Sequence, residues 1–369
     1  MDWKVPYIDL PLQFDNLKDE LLEAMTRVMA EGSFILRQDV TAFEEQMAHF
    51  LGVKHVIGVN SGTDALYLSA KALELKEGDE VVTVAHSFIA TLSAVIHQGA
   101  KPILVDIQED FNMNLELVEN AITEKTKAII PVHLNGRLCQ MDRLLEIAAK
   151  YNLTIIEDAA QALGAKFKGQ AAGSFGLVGC FSVHPMKTLN CGGDGGFLST
   201  NDDQIAEKLR LLRDHGQQKK TDLVCFGYNS RLDNLQAAIL NVKFKYLPKW
   251  IARRRALAAM YAEALADLPL TLPPAPSAGD YFDTFNSYVI RSAYQKELVS
   301  FLGEKGVCAF VHIGKPLNHH KALGLPSFSI PVNEKICGEI CSLPIYPEMT
   351  DEQAQYVIAC VQEFFKDKQ

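Results

Sequence analysis

A lysine followed by a glycine-rich loop is the residue of this chain with the clearest chemical potential. Lys187 lies in FSVHPMKTLNCGGDGG, between an apolar run and the glycines. A lysine amine forms a Schiff base with a carbonyl only when it is partly deprotonated, and enclosure by apolar side chains lowers its pKa in that direction. The position of Lys187 therefore favours covalent chemistry through its amine.

An aspartate earlier in the chain supplies a partner for this lysine. Asp158 ends the strand-like run LTIIED. A carboxylate at the end of a strand can hold the proton on a pyridinium nitrogen, and this proton makes pyridoxal 5'-phosphate (PLP) an electron sink. A lysine that traps an aldehyde, together with such an aspartate, predicts PLP chemistry.

A Ser-Gly-Thr turn offers a place for the cofactor phosphate. The segment HVIGVNSGTDALYLSAKAL is typical of a short strand, a turn and an amphipathic helix. The backbone amides of Gly62, Thr63 and Asp64 would then face an anion at the helix N-terminus, and Thr63 would add a hydroxyl. The alternative is that Ser61 to Asp64 only cap the helix. Ser182 is a second phosphate candidate, although a serine in an apolar run is usually a buried core hydroxyl.

These motifs resemble those of a known family. The chain is similar to the sugar aminotransferases called DegT/DnrJ/EryC1/StrS, which are fold-type I PLP enzymes. The resemblance runs from PYIDLPLQF to SLPIYPEMTDEQ and includes FEEQMAHFLGVKHVIGVNSGTDAL, PVHLNGR, EDAAQALGA, AGSFGLVGCFSVHPMK, GDGG and GYNSRLDNLQAAIL. It covers nearly the whole chain, and its motifs are specific.

The resemblance implies which residues hold the cofactor ring. Lys187 would carry PLP as a Schiff base, and Asp158 would bind the ring nitrogen. Gln161 would contact the phenolic oxygen. Phe88, in AHSFIAT, would stack on the ring.

The resemblance also implies a phosphate site shared between subunits. Gly62, Thr63 and Ser182 match the positions that bind the phosphate within one subunit. Asn229, in GYNSR, matches a residue that reaches the phosphate of the neighbouring subunit. This implies a homodimer whose active sites are shared.

The reaction that the resemblance implies is amino transfer to a keto-sugar. The acceptor is commonly nucleotide-linked with its ketone at C3 or C4, and glutamate is the donor, which becomes 2-oxoglutarate. Pyridoxamine 5'-phosphate would form between the two half reactions, and Lys187 would move the proton in both. The products of such enzymes enter lipopolysaccharide, other cell-surface polysaccharides and glycoconjugates.

Two alternative functions are weighed against transamination. A related branch of the family dehydrates sugars with PLP, but a histidine replaces its Schiff-base lysine, so Lys187 favours transamination. The other alternative is a regulator or binding protein that keeps the fold without catalysis. The complete set of cofactor residues argues against it.

Two departures from the family pattern concern the amino acceptor. SFILRQDV has Arg37 where relatives commonly carry glycine, and FVHIGKPLNHH, which contains His312 and Lys315, replaces a Tyr- and Pro-rich loop. These cations would suit the diphosphate of a nucleotide sugar or the carboxylate of a free sugar acid, such as an aldehyde or keto octulosonate. Neutral variation at the rim of the site is the alternative. The loop contains no carboxylate or thiolate that would favour a metal site.

The composition is that of an ordinary soluble protein. The chain has 369 residues, of which 48% are hydrophobic and 22% charged, and its formal net charge is −9. This charge argues against general binding of nucleic acid or of anionic membranes. The N-terminal segment lacks the pattern of a secretory signal, and no run is long enough to span a bilayer, so we expect a cytoplasmic protein.

The order of strand-like and helix-like segments predicts an α/β fold. HVIGVN, EVVTVA, KPILVD, KAIIPV and LTIIED alternate with helical stretches, which indicates a mostly parallel sheet with helices on both faces. The resemblance implies seven strands in this sheet and a smaller C-terminal α+β domain. We expect a large PLP-binding domain over 1–245 and the smaller domain over 246–369, linked by one long helix from Leu232 toward Leu265.

Two further patterns predict local structure. ARRRA, which contains Arg253 to Arg255, is typical of a solvated helix face. The eight cysteines include no CxxC pair, and Cys337 and Cys341 have the spacing of residues that share a helix face as reduced, apolar positions.

Overall fold

The elements of the fold follow the alternation seen in the sequence. The computed structural model describes residues 3–219, 221–277, 279–366 and 368. The helices are α1 (Leu10–Glu31), α2 (Gln38–Leu51), α3 (Gly62–Ala72), α4 (Ile89–Ile96), α5 (Leu115–Ala121), α6 (Met141–Tyr151), α7 (Asp203–Arg213), α8 (Asn234–Phe244), α9 (Leu247–Ala264), α10 (Gln295–Glu304), α11 (Pro331–Cys337) and α12 (Asp351–Phe365). The strands are β1 (His55–Val59), β2 (Glu80–Val84), β3 (Lys101–Val105), β4 (Thr126–Ile129), β5 (Thr154–Asp158), β6 (Lys166–Phe167), β7 (Gln170–Ala171), β8 (Val178–Ser182), β9 (Gly196–Thr200), β10 (Gln217–Lys219), β11 (Asp222–Leu223), β12 (Tyr281–Phe282), β13 (Tyr288–Arg291) and β14 (Ile340–Leu343).

A seven-stranded sheet lies at the centre, in the order β1-β9-β8-β5-β4-β2-β3. All neighbouring strands from β8 to β3 are parallel, whereas β9 is antiparallel to both β1 and β8. The predicted α/β fold with a mostly parallel seven-stranded sheet is therefore confirmed. None of the helices in the described residues is long and apolar enough to cross a membrane.

Both faces of the sheet are apolar because helices cover both. Consecutive strand residues pack into different hydrophobic clusters: Val82 and Ile155 belong to the cluster that contains α1 and α2, whereas Val81 and Ile156 belong to the one that contains α3, α4 and α7. This is the alternation that the pleat of a strand imposes. Such burial fixes the register of the strands, and so it fixes where their ends lie.

The ends of four strands bring the predicted site segments together. The strands β2, β5 and β8 are mutually parallel across the sheet, and β1 has the same direction because two antiparallel pairings separate it from β8. Ligands of parallel sheets bind at the carboxyl ends of the strands. Here these ends lead to Ser61, Phe88, Asp158 and Ser182.

A separate hydrophobic cluster lies in the C-terminal part. It is formed by α9, α10 and α12 together with the antiparallel pair β13 and β14, and it includes Leu257, Tyr288, Leu298 and Val361. The division into domains over 1–245 and 246–369 stays a prediction. This second cluster supports it.

The helical segment predicted between Leu232 and Leu265 is two helices. The first ends at Phe244, and α9 begins at Leu247 with Pro248 as its second residue. Proline has no N–H to donate and its ring clashes with the preceding turn, so it starts a helix more readily than it continues one. The prediction of one long helix was wrong.

The basic run in α9 is not a solvated face. The side chain of Arg254 is buried, and its guanidinium donates to the backbone carbonyls of Phe285, Asn286 and Ile345. Arg255 likewise donates to the carbonyl of Asp283. The prediction was wrong because α9 packs between two parts of the chain, where these arginines satisfy backbone carbonyls that water cannot reach.

Cys337 and Cys341 do not share a helix face. Cys337 ends α11, and the chain then turns so that Cys341 lies in β14. Both are buried free thiols, and burial raises the pKa of each to about 12. The prediction of one helix face was wrong.

Candidate active site

Lys187 lies in the turn that follows β8. Its backbone amide donates to the carbonyl of His184 at 2.9 Å. Burial lowers the pKa of the Lys187 amine, and the carboxylate of Asp158 opposes that shift. The amine is therefore uncharged over a wider pH range than a lysine in water, as a nucleophile and a proton carrier require.

Asp158 is held at the end of β5 by two short-range donors. Its Oδ2 accepts the Thr91 hydroxyl at 2.7 Å, and its Oδ1 accepts the Ala160 amide at 3.3 Å. Burial raises the pKa of Asp158, whereas these two hydrogen bonds and then the charge of Lys187 lower it. An ionised carboxylate has further lone pairs, so Asp158 can still accept a ring N–H.

The orientation of Gln161 is set by a loop after β4. The backbone amide of Asn135 donates to Gln161 Oε1 at 2.9 Å, which leaves Nε2 as the free donor of the side chain. Asn135 has a left-handed conformation with φ of 58°. Gln161 can therefore donate to an oxyanion such as the phenolic oxygen predicted for it.

Phe88 presents an exposed aromatic ring immediately before α4. Its side chain is 69% exposed, which is unusual for a phenylalanine on an ordered loop. The loop is fixed by Ser87, whose hydroxyl lies 2.7 Å from that of Thr91, and by His86, whose Nδ1 lies 3.0 Å from Asn333 Oδ1. A rigid, exposed ring of this kind suits stacking on a planar ligand.

The N-terminus of α3 lies directly against the end of β8. A Cβ on Gly62 would lie 2.7 Å from the Cβ of Ser182, so only glycine permits this approach. The Asp64 amide donates to Ser61 Oγ at 3.0 Å, so the prediction that it is free for an anion was wrong. The Gly62 and Thr63 amides, the Thr63 hydroxyl and Ser182 Oγ remain as candidate donors.

Asn229 lies on the surface, after the β10–β11 hairpin. Its backbone forms a single bridge with Asp214. The adjacent Ser230 donates to Asp64 Oδ2 at 2.7 Å, so this segment passes the first turn of α3. A role for Asn229 in the site of a neighbouring subunit stays a prediction.

His312 is the substrate candidate that lies near Lys187. Its ring packs against Tyr7 and Phe310, with centroids 5.2 and 4.2 Å apart, and its Nδ1 lies 2.9 Å from Ser342 Oγ. The residue is exposed in the single subunit, but the partial desolvation of its ring, and next the charge of Lys187, lower the pKa of His312 to about 4. The imidazole is therefore neutral at pH 7, and it can donate or accept one hydrogen bond to a sugar hydroxyl.

The other two substrate candidates are surface cations. Lys315 is exposed in the same loop as His312. Arg37 is exposed immediately before α2, and within the described ranges its side chain makes no hydrogen bond or ion pair to the residues around Lys187. His319 pairs with Glu334 at 3.0 Å. Two residues do not make a metal site, and the described part of the chain contains no group of three or more potential metal ligands.

Sequence reasoning missed two residues that orient the cofactor candidates. Thr91 bonds Asp158, and Asn135 bonds Gln161. Thr91 lies one helical turn after Ser87, and this spacing could have predicted that Thr91 faces the site from α4. Asn135 lies in the quoted PVHLNGR motif, but nothing in the sequence shows that its backbone, rather than its side chain, is what contacts the site.

Comparison with known proteins identifies the family. The model described as "DegT/DnrJ/EryC1/StrS aminotransferase family" matches residues 15–362. The chain belongs to this family. The resemblance seen in the sequence is thereby confirmed, and the enzyme is a sugar aminotransferase whose cofactor is PLP.

Curated relatives of this aminotransferase carry two kinds of name. A "Pleiotropic regulatory protein" of Geobacillus stearothermophilus is 42% identical, over 98% of this chain and 99% of the relative. A "UDP-N-acetyl-3-dehydro-alpha-D-glucosamine 3-aminotranferase" of Acidithiobacillus ferrooxidans is 40% identical, over 95% of both chains. Others, 37% to 39% identical, are named as transaminases of dTDP-linked sugars and as an aminotransferase of a UDP-linked 3-oxo-D-glucuronate.

Solved structures of family members superpose closely on this aminotransferase. The DesV structure of S. venezuelae "in complex with ketimine intermediate" matches with a TM-score of 0.94 at 39% identity, over 98% of both chains. The NtdA structure of Bacillus subtilis "with bound cofactor pmp" matches with a TM-score of 0.89 at 31% identity, over 95% of this chain and 82% of the other. These matches confirm the predicted fold class.

The residues present fit PLP. The exposed ring of Phe88 offers a stacking surface, and Asp158 offers a fixed carboxylate for the ring nitrogen. The close approach of Gly62 to Ser182 forms a cradle at a helix N-terminus, which suits a phosphate. An enclosed lysine amine completes the set.

Proposed function

We propose that this aminotransferase moves an amino group from glutamate to the C3 ketone of a nucleotide-linked sugar. The observation that carries the proposal is the enclosed Lys187 amine. Burial lowers its pKa, and the charge of Asp158 opposes that shift. The names of several relatives, which describe amino transfer at C3 of UDP- or dTDP-linked sugars, support the acceptor class.

Lys187 is the base and the acid of this proposal. When bound, PLP supplies the carbonyl that exchanges amino groups and a ring that withdraws electrons. The Lys187 amine, whose lowered pKa makes the uncharged form more accessible, would take the α-proton of glutamate and deliver it again on the same face. In the second half reaction it would remove and return a proton in the reverse order.

The other cofactor residues would bind and orient. Asp158 would keep the ring nitrogen protonated, and Gln161 Nε2 would donate to the phenolic oxygen. Phe88 would cover one ring face and limit the access of water. The N-terminus of α3 and Ser182 Oγ would bind the phosphate and thereby fix the distance from the ring to Lys187.

The amino acceptor would bind beside His312. A neutral imidazole that is already bonded to Ser342 through Nδ1 has its other nitrogen for a sugar hydroxyl. Lys315 would add positive charge for the diphosphate of the nucleotide. Arg37 is the less supported member of this group, because the structure does not bring its side chain to Lys187.

An exposed apolar hairpin supports a homodimer. In and after β11 the side chains of Leu223, Val224 and Phe226 are 69%, 53% and 98% exposed. Apolar side chains in this arrangement indicate a contact surface. A second copy of the chain on this surface would also cover the region of Asn229, in agreement with a site shared between subunits.

We further propose that the enzyme works in the cytoplasm, in the supply of amino sugars for cell-surface glycans.

An acceptor panel tests the function. The protein is loaded with PLP, converted by glutamate to the pyridoxamine 5'-phosphate form, and freed of excess glutamate. UDP- and dTDP-linked 3-keto sugars, a 4-keto sugar and a free keto sugar acid are then added one at a time, and recovery of the PLP absorbance is followed. We expect recovery with a nucleotide-linked 3-keto sugar.

The other outcomes of the panel separate the alternatives. Recovery with the free keto sugar acid alone would show that the acceptor is a sugar acid and not a nucleotide-linked sugar, while the enzyme would still be an aminotransferase. Absence of any conversion by glutamate, with PLP bound, would favour the regulatory function that the name of the Geobacillus relative suggests. Release of water from the sugar without amino transfer would favour the dehydratase.

A further inference from the structure

A buried lysine lies beneath the loop that carries Lys187. Lys243, in α8, is 7% exposed, and its Nζ donates to Asn190 Oδ1 at 2.5 Å and to Gln13 Oε1 at 2.9 Å. No carboxylate oxygen within the described ranges lies at ion-pair distance from it. Burial lowers the pKa of Lys243 to about 8, against the opposing effects of Cys191 and Glu348.

A buried lysine with only neutral hydrogen-bond partners lowers the stability of the folded protein. Transfer of an ammonium into the protein interior costs free energy that neutral hydrogen-bond partners compensate only in part. An apolar residue of the same length would avoid this cost. The presence of an amine at this position therefore indicates a role for the hydrogen bonds that Lys243 donates to Asn190 and Gln13.

The donor character of Lys243 fixes the orientation of two side-chain amides. An ammonium group only donates, so the amide oxygens of Asn190 and Gln13 must face it, and their N–H groups must point away. Asn190 Nδ2 consequently donates to the backbone carbonyl of Lys187 at 3.4 Å. Gln13 Nε2 donates to Glu348 Oε1 at 3.1 Å.

The result is a chain of hydrogen bonds that begins at Lys187. It joins the Lys187 loop to α8, to α1 through Gln13, and to the C-terminal part through Glu348. Apart from Lys187 itself, no member of this chain is among the residues that would touch the cofactor. The glycine-rich loop after Lys187 is held further on by the Cys191 amide, which donates to the Val183 carbonyl at 2.8 Å, and by the Gly192 amide, which donates to Gln236 Oε1 at 2.7 Å.

We propose that Lys243 is a positioning residue for Lys187. It fixes Asn190, and Asn190 holds the Lys187 carbonyl so that the amine stays enclosed beside Asp158. This inference rests on the proposed function for its kinetic test. Its second test needs neither glutamate nor the cofactor.

Three variants isolate the connection. Lys243→Met keeps the length of the side chain and removes the donor. Asn190→Asp keeps the acceptor for Lys243 and replaces the N–H that holds the Lys187 carbonyl by a carboxylate oxygen, whose charge pairs with Lys243. Lys245→Met is the matched control, because Lys245 lies just past the end of α8 but is exposed and pairs with Glu20.

The first measurement is the single-turnover conversion of bound PLP by glutamate. We expect Lys243→Met and Asn190→Asp each to lower the limiting rate about tenfold, because a displaced amine transfers a proton less efficiently. The glutamate concentration at half-saturation should change less than twofold.

The second measurement is the pH dependence of Lys187 methylation by formaldehyde and cyanoborohydride in the PLP-free protein, followed by peptide mass spectrometry. We expect the half-maximal labelling of Lys187 to move to higher pH in both variants as its enclosure loosens, and its labelling at high pH, where the amine is uncharged in every protein, to become faster. Labelling of the exposed Lys54 provides the internal reference. Lys245→Met should label Lys187 as the unchanged protein does.

Two results would overturn the proposal. One is a limiting rate and a Lys187 labelling profile within twofold of the unchanged protein in Lys243→Met. The other is a loss in Lys243→Met that Asn190→Asp does not share, which would assign Lys243 to general stability. If glutamate converts none of the proteins, the proposed function fails, and the labelling experiment still decides the role of Lys243.

Discussion

At the residue scale, the chemistry depends on a lysine and an aspartate that are both buried and that each favour the charged form of the other. Burial disfavours the charged form of both Lys187 and Asp158, and each opposes that effect in the other. Thr91 also affects the pKa of Asp158, because the hydrogen bond from its hydroxyl is the largest influence that favours the ionised carboxylate. The state of the pair thus depends on a residue that would not touch the cofactor.

Removal of the Thr91 hydroxyl should shift the pH dependence of activity. In Thr91→Val the pKa of Asp158 rises further, so the carboxylate is lost at a higher pH as the solution is acidified. A hydrogen bond to a charged group is worth about 1.5 to 3 kcal/mol, and we expect the glutamate half reaction to slow about tenfold at pH 6 and less at pH 8. The measurement is the pH profile of the single-turnover rate.

Thr123→Val is the matched control for Thr91→Val. Thr123 also donates to a carboxylate, Glu80, but at the start of β2 and thus at the opposite end of the sheet. Its profile should stay unchanged. A uniform decrease of the Thr91→Val rate at every pH would contradict the assigned effect on Asp158.

A methyl group on Gly62 should weaken cofactor binding. In Gly62→Ala the new Cβ meets Ser182, so the N-terminus of α3 has to move from the end of β8. We expect the dissociation constant of PLP to rise at least about tenfold, because the phosphate loses its aligned amides. PLP absorbance titration measures this.

Gly303→Ala provides the comparison for Gly62→Ala. Gly303 lies in α10 with open space where a Cβ would be placed, so PLP affinity should not change and thermal stability should be equal or higher. Unchanged PLP affinity in Gly62→Ala would show that the approach of α3 to Ser182 does not form the phosphate site.

At the scale of elements, short connections decide which strand end presents which residue. His86 joins the loop after β2 to α11 through Asn333, and Asp106, after β3, accepts the amides of Val332 and Asn333 at the start of α11. The Phe88 loop is therefore tied to the C-terminal part. Burial lowers the pKa of His86 to about 4, although the hydrogen bond to Asn333 opposes this shift, so the imidazole in this connection is neutral at pH 7.

Acid should destabilise the protein in part through His86. Its pKa is about 4 when folded and near 6.5 when unfolded, so below pH 6.5 the unfolded chain binds the proton first, and stability falls until about pH 4. At pH 5 the loss amounts to about 2 kcal/mol. The decrease in the urea midpoint between pH 7 and pH 5 should be smaller in His86→Gln than in the unchanged protein. A control variant at the exposed His49 should behave as the unchanged protein does; equal decreases in all three would contradict this role.

The elements also show where sequence patterns stop being informative. Strands such as EVVTVA were predictable because both of their faces are apolar and their lengths are typical. The break at Lys245 and Tyr246 was missed, although Pro248 signals it, because apolar periodicity continues across it. Burial of Arg254 could not be predicted, since it depends on carbonyls contributed by distant segments.

At the scale of the whole molecule, the proposed sharing of sites between subunits depends on one exposed segment. The exposed Phe226 and the nearby Asn229 lie on one segment, close to the first turn of α3. The cofactor residues could be proposed from the sequence because they lie in contiguous motifs, and their roles stay predictions. It could not show the place of Arg37, whose side chain stays apart from Lys187 within one subunit.

Mixed subunits should restore activity if the sites are shared. Lys187→Ala and Asn229→Ala proteins are each expected to be inactive or nearly so. After subunit exchange, one of the two sites in a hybrid dimer has both residues intact, so about half of its sites should function. Exchange verified by mass labels without any return of activity would assign Asn229 a local role.

The identity of the lysine that carries the cofactor is the central claim, and it can be measured directly. The PLP-loaded protein is reduced with borohydride, digested and mapped by peptide mass spectrometry. The account predicts one equivalent of reduced cofactor on Lys187, in the peptide that contains FSVHPMKTLN, and its absence from Lys187→Ala. Cofactor on Lys166, on Lys168 or on no lysine would contradict it.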